Sequence, residues 1–144
     1  MSRSVLPGMA STGLKERVQS MSHTSRPIVT DWNSMPLQAM RMGMTRRFVH
    51  SDNMMVAQVN FCKGDFVPAH SHDNEQFTYV LTGALEFKFG DEQSETMIVR
   101  AGSIVFIPSM LVHSAFALED TFELDIFNPP RQDWLDGSDG YMRR

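Results

Sequence analysis

Cysteine is almost absent: the 144 residues contain one, Cys62. One thiol cannot close an internal disulfide, so the fold must rest on its core, and a reducing cytoplasm is the expected setting. Positive charge is also in short supply. Thirteen Lys and Arg face 17 Asp and Glu, for a formal net charge of -4, and the pairs Arg46-Arg47 and Arg143-Arg144 are too short to make a patch. That argues against nucleic acid or an anionic membrane surface as a partner, since both reward clustered Lys and Arg. No apolar run approaches the ~20 residues of a spanning helix. The N-terminus has early arginines but no continuous apolar stretch, so a secretory signal is not expected.

What is present is an ordinary globular composition, 42% hydrophobic and 21% charged, at a length that suits one domain with a real core. Residues 1–30 are rich in Ser, Thr and Gly. They read as an N-terminal tail or arm with a short helical turn at Leu14 to Val18, and Met9 and Met21 are alternative starts to Met1. Residues 31–144 read as the domain. "MPLQAMRMGM" (35–44) suits a short helix or a strap whose methionines fill gaps in a core. From Arg46 the period becomes two: Met55, Ala57, Val59 and Phe61 alternate with Val56, Gln58 and Asn60, and Leu85, Phe87 and Phe89 with Glu86 and Lys88. Turn residues separate these strands ("KGD", "TG", "GDEQ", "AG"), the pattern of an all-β sandwich or small barrel. The end, "NPPRQDWLDGSDGYMRR", reads as an extended strap anchored by Trp134 and Tyr141. Cys62 is expected as a small buried residue, and His50 as an exposed turn residue.

Of five histidines, His70 and His72 stand at i and i+2, which on a strand places both imidazoles on one face. Alone that spacing is common on surfaces. A third donor would have to come from another strand, and His113 follows the apolar run "SIVFIP". The next candidate is Glu75 or Gln76. Parity favours Gln76, which shares the face of 70 and 72 on an unbroken strand; a β-bulge between 72 and 76 would reverse the choice.

The wider spacings carry a family resemblance. Gly64, His70, His72, Gln76 and Gly83 stand at the intervals of the first cupin motif, and Gly102, Pro108 and His113 at those of the second. Residues 46–127 therefore resemble a cupin. The resemblance implies a double-stranded β-helix (a jelly-roll barrel), one divalent metal held by His70, His72, Gln76 and His113, and a homodimer. Three positions depart from the family pattern: Gln76 replaces Glu, Met110 replaces Gly and Ala117 replaces Asn. With Gln76 all four ligands are neutral, so the metal keeps its +2 charge and favours a small anionic molecule. Nitrogen and neutral oxygen donors suit Ni, Fe, Zn, Mn or Co, among which the sequence does not choose.

The strand "TFELDIFN" sets Glu123, Asp125 and Phe127 on one face and Phe122, Leu124 and Ile126 on the other. Hydrophobicity alone turns the second set inward and leaves Asp125 in solvent. Asp125, Phe127 and Arg131 nevertheless resemble the D-x-F-x3-R pattern of small cupins that ketonise 4,5-unsaturated uronates. That resemblance implies an isomerase in carbohydrate breakdown, with Asp125 as base, Arg131 as carboxylate clamp and Phe127 in the pocket. A metal-dependent lyase or oxygenase of a small acid remains open; small cupin lyases use a tyrosine near the metal, which makes Tyr79 a pocket candidate although its parity opposes that of Gln76. A non-enzymatic small-acid-binding cupin also remains open. The side on which Asp125 lies separates these alternatives.

Overall fold

Alternating apolar residues build ten strands, because a strand that buries every second side chain can pack one face against a partner. The computed structural model describes residues 19–143. The strands are β1 (Gln38–Ala39), β2 (Thr45–His50), β3 (Met55–Phe61), β4 (Phe66–His70), β5 (Glu75–Thr82), β6 (Ala84–Phe89), β7 (Glu95–Arg100), β8 (Ile104–Ile107), β9 (His113–Ala117) and β10 (Thr121–Asn128), followed by a short helix α1 (Gln132–Asp136). All strand pairings are antiparallel. They form a six-stranded sheet ordered β1-β2-β3-β10-β5-β8 and a four-stranded sheet ordered β4-β9-β6-β7. The all-β expectation holds as two sheets around one core, with no strand pairing between them among the described residues.

The core comes from the inner faces: Met55, Ala57, Val59 and Phe61 of β3 and Val80 of β5 meet Leu85, Phe87 and Phe89 of β6 and Ala115 and Ala117 of β9. Burying a side chain of this size stabilises by roughly 1.5–3 kcal/mol, so these residues decide which way each strand faces. β10 is central in its sheet, paired with β3 on one side and β5 on the other.

Several expectations change. The 35–44 segment is a strap rather than a helix: it contributes β1 and buries Met35 and Met44. The C-terminal segment is not extended, because after Pro129 and Pro130 the chain enters α1, which ends at Gly137 in the left-handed conformation. Trp134 is buried and Tyr141 half-buried, which makes both of them anchors. Cys62 is exposed, since β3 ends at Phe61 and the next residue leaves the pleat. His50 is half-buried, not exposed. The helical turn expected at 14–18 lies outside the described residues. No helix among the described residues is long and apolar enough to cross a membrane.

Candidate metal centre

Three strands and one loop bring the donors together at one end of the core. β4 delivers His70 at its last residue, opposite His113 at the start of β9. His72 sits in the loop between β4 and β5, which means the strand is broken where parity had assumed it unbroken. Gln76 is still the inward residue, 6% exposed, while Glu75 is on the surface. The choice of Gln76 therefore rests on its place in β5 rather than on continuity from His72. The loop is fixed by Asn74, whose Nδ2 donates to the Pro129 carbonyl at 2.5 Å, and by Met110, whose N–H donates to the His72 carbonyl at 2.8 Å. Met110 takes φ +68°, which explains why the family pattern has Gly there: the turn needs the left-handed region.

One candidate ligand nitrogen from each of His70, His72 and His113 lies within 4.8 Å of the other two. Each Nδ1 faces a backbone carbonyl: Pro68 at 2.8 Å, Asn74 at 3.1 Å and Leu111 at 2.8 Å. A carbonyl only accepts, so each Nδ1 carries the proton and each Nε2 keeps its lone pair for a ligand. Burial holds the rings neutral. It lowers His70 to about 3, helped by the neighbouring His113, and His72 to about 4, helped by Arg131, and it lowers His113 too.

Gln76 Oε1 lies 3.1 Å from His72 Nε2. With the Nδ1 proton spent on Asn74, both atoms present lone pairs, an arrangement that a shared cation would reconcile. The four donors thus fit one divalent ion of borderline softness.

Behind Gln76 runs a buried polar chain. Its Nε2 donates to Thr78 Oγ1 at 2.9 Å, and Thr78 donates to Asp125 Oδ1 at 2.6 Å. Asp125 is 6% exposed and faces the interior, with Glu123 and Phe127 beside it and Phe122, Leu124 and Ile126 turned out. The hydrophobicity-based orientation is reversed. The outer face of this sheet is apolar as well, so strand hydrophobicity could not rank the two faces. Burial raises Asp125, against the opposing hydrogen bond from Thr78, and raises Glu123 further, with the Asp125 charge adding to it. Glu123 is a site residue that the sequence reading passed over; its parity with Asp125 was the available signal.

A cavity of about 40 Å³ joins these groups, walled by His70, His113, Gln76, Asp125, Glu123 and Arg131 among others. Phe127 packs edge-on to His72, with ring centroids 5.8 Å apart. Arg131 is 2% exposed and stacks over Phe127 at 5.1 Å. Tyr79 is not in this group. It stands with Phe77 on the other face of β5 from Gln76 and Thr78. The tyrosine at the site is Tyr141, whose ring centroid lies 4.9 Å from that of His70. No period could have placed it, because it arrives from the C-terminal segment.

Comparison with known proteins gives a consistent picture. Residues 57–127 match the family described as the cupin domain. The chain is 29% identical over 103 residues to the pectin degradation protein KdgF of Dickeya dadantii (strain 3937), covering 69% of this chain and 91% of that protein. The solved structure of KdgF from Halomonas sp. is 30% identical with a TM-score of 0.64, covering 71% of this chain and 94% of that one. Bacillus subtilis oxalate decarboxylase, with its Mn(II) centres, shares the fold at 22% identity and a TM-score of 0.60, covering 74% of this chain and 32% of that one.

Proposed function

This chain belongs to the cupin family, and on that premise we propose that it is a metal-dependent isomerase that opens and ketonises a small anionic sugar-derived substrate, a 4,5-unsaturated monouronate. His70, His72, His113 and Gln76 would hold one divalent ion, of Ni, Fe, Zn, Mn or Co. With four neutral donors such an ion would keep its full charge and would polarise and orient an anionic ligand.

The observation that carries the proposal is the inward position of Asp125, linked through Thr78 to Gln76. Binding a metal and a small acid requires only the ligands and Arg131, and a carboxyl buried beside the cavity costs free energy, which favours proton-transfer chemistry over binding alone. Raised above the ordinary carboxylate range by burial, Asp125 is suited to both taking and returning a proton. In the proposed reaction it takes the proton of the hemiacetal hydroxyl as the ring C–O bond breaks, and the ring oxygen leaves as an enol. A proton delivered to the former alkene carbon then gives the ketone. Protons and electrons balance, so no co-reactant is needed. Arg131 would hold the substrate carboxylate, and Phe127 would form an apolar wall. The likeness to KdgF, a pectin degradation protein, supports a uronate as substrate.

The decisive experiment follows the ultraviolet absorbance of the alkene conjugated to the carboxylate. Wild-type protein should abolish it, and Asp125→Asn should slow its loss by roughly 10²–10⁴-fold. Absence of turnover with each of the five metals would sink this function. A homodimer accompanies the proposal, supported by Phe77, Ile104 and Phe106 exposed together on β5 and the edge strand β8. Sedimentation velocity should return twice the chain mass, and a monomer would remove that part.

A further inference from the structure

The geometry points to Asp133 as an internal competitor for the substrate carboxylate, one that occupies the fork of Arg131 and must swing aside when an acid binds. This inference rests on the proposed role of Arg131. Arg131 Nε donates to Asp133 Oδ1 at 2.9 Å and Nη2 to Oδ2 at 2.8 Å. That is the side-on, two-bond grip an arginine offers a carboxylate. It takes Nε and one Nη2 hydrogen while Tyr141 takes the other, so a second two-bond grip is not available. Tyr141 closes the arrangement from above: its hydroxyl meets Arg131 Nη2 and donates to Asp133 Oδ2 at 3.2 Å.

The cavity beneath has room for water but not for a sugar acid. Something around Arg131, which lines the cavity, has to move, and Asp133 and Tyr141 are the side chains that hold its guanidinium. Asp133 is able to move. Its side chain is 27% exposed, so it can leave Arg131 for solvent without being buried unpaired. It lies in a five-residue helix whose N-cap makes no side-chain hydrogen bond and which stops at Gly137. Beyond Gly137 the chain is fixed again, because Asp139 and Arg46 form an ion pair at 2.6 Å with both side chains fully buried. Release is therefore local to the segment between Arg131 and Gly137. Exchange of one carboxylate for another leaves the arginine paired throughout, which keeps the cost of opening low.

The test is equilibrium binding of galacturonate, a saturated monouronate, to the full chain by isothermal titration calorimetry at constant ionic strength. Removing a competitor raises the competent fraction, so Asp133→Asn should tighten binding about tenfold. Asp136→Asn, which removes the same charge from a side chain that does not touch Arg131, should leave it unchanged, and an Arg131→Lys background should cancel the gain from Asp133→Asn. Weaker or unchanged binding in Asp133→Asn overturns the inference, because Asp133 would then only position the arginine or take no part. Equal tightening in Asp136→Asn overturns it as well, by reducing the effect to net charge. If unsaturated uronates are not turned over while Asp133→Asn still tightens galacturonate, the isomerase function fails and this inference stands.

Discussion

Arg46 and Arg131 are both buried, both stacked on Trp134, and both paired with an aspartate from the C-terminal segment. The guanidinium of Arg46 lies 4.1 Å from the Trp134 ring centroid and that of Arg131 5.1 Å. Their surroundings differ. The Arg46–Asp139 pair is sealed, with no exposure on either side chain, and Gln38 Oε1 accepts from Arg46 Nε at 2.7 Å. The Arg131–Asp133 pair opens to solvent on the aspartate side and to the cavity on the arginine side. Burial lowers Arg46 in spite of Asp139, whereas at Arg131 the Asp133 and Tyr141 contacts outweigh burial and raise it. The same two residue types thus serve as a latch in one place and as an exchangeable contact in the other. What separates them is whether the carboxylate has somewhere else to go.

Breaking the latch should have the largest effect. Asp139→Ala leaves a fully buried guanidinium without its partner and should cost about 3–5 kcal/mol in urea unfolding. Asp133→Ala should cost less, about 1–3 kcal/mol, because Arg131 keeps Tyr141 and faces the cavity rather than a sealed core. Equal losses would erase the distinction between the two arginines.

Acid should separate the two ends of the site next. His70 and His72 have folded values depressed to about 3 and about 4, below the ~6.5 of an unfolded histidine. The unfolded chain therefore binds more protons below pH ~6.5, and metal-free protein should lose stability as pH falls from there toward 4. Asp133 is also depressed, because its hydrogen bonds to Arg131 outweigh burial. Its contribution is complete above the ordinary carboxylate range and is lost only as pH falls below that range. Unfolding midpoints measured across pH should thus show Asp133→Asn diverging from wild type in slope only at the acid end. Divergence near pH 6 would mean that Asp133 senses the histidines.

How much of this was legible in the sequence depends on where each residue's position is decided. His70, His72, Gln76 and His113 lie in a short loop and strand ends whose spacing the sequence records directly, so the clustering of these four side chains could be read. The inner face of β10 could not be ranked, because Phe122, Leu124 and Ile126 satisfy an apolar outer sheet face as well as they would a core. Asp133 was not legible, and Tyr141 was legible only as an anchor, for another reason. Their contacts join residues two and eight positions apart through a helix and a turn, and the two prolines before them suggest extension. Pro129-Pro130 ahead of a short polar run ending at Gly137 was the missed signal, since Pro before and Gly after is how short helices are bounded.

The smallest expected effect tests whether Tyr141 belongs to the latch or to the exchangeable pair. Tyr141→Phe keeps the ring against His70 and removes the hydroxyl that touches both Arg131 and Asp133. Burial holds that hydroxyl protonated, raising it to about 12, so it acts as a neutral donor and its loss should cost about 0.5–1.5 kcal/mol. Met142, the next residue, is buried with its Sδ 3.7 Å from Arg46 Nη1, so the backbone here is held by the latch whatever Tyr141 does. Asp133 should therefore lose one of the donors that retain it while the segment stays in place. Galacturonate should bind more tightly than to wild type, in the same direction as with Asp133→Asn but by less. Weaker binding would show instead that the hydroxyl orients Arg131 for its ligand, which would place Tyr141 with the binding groups and leave Asp133 as the only residue that competes.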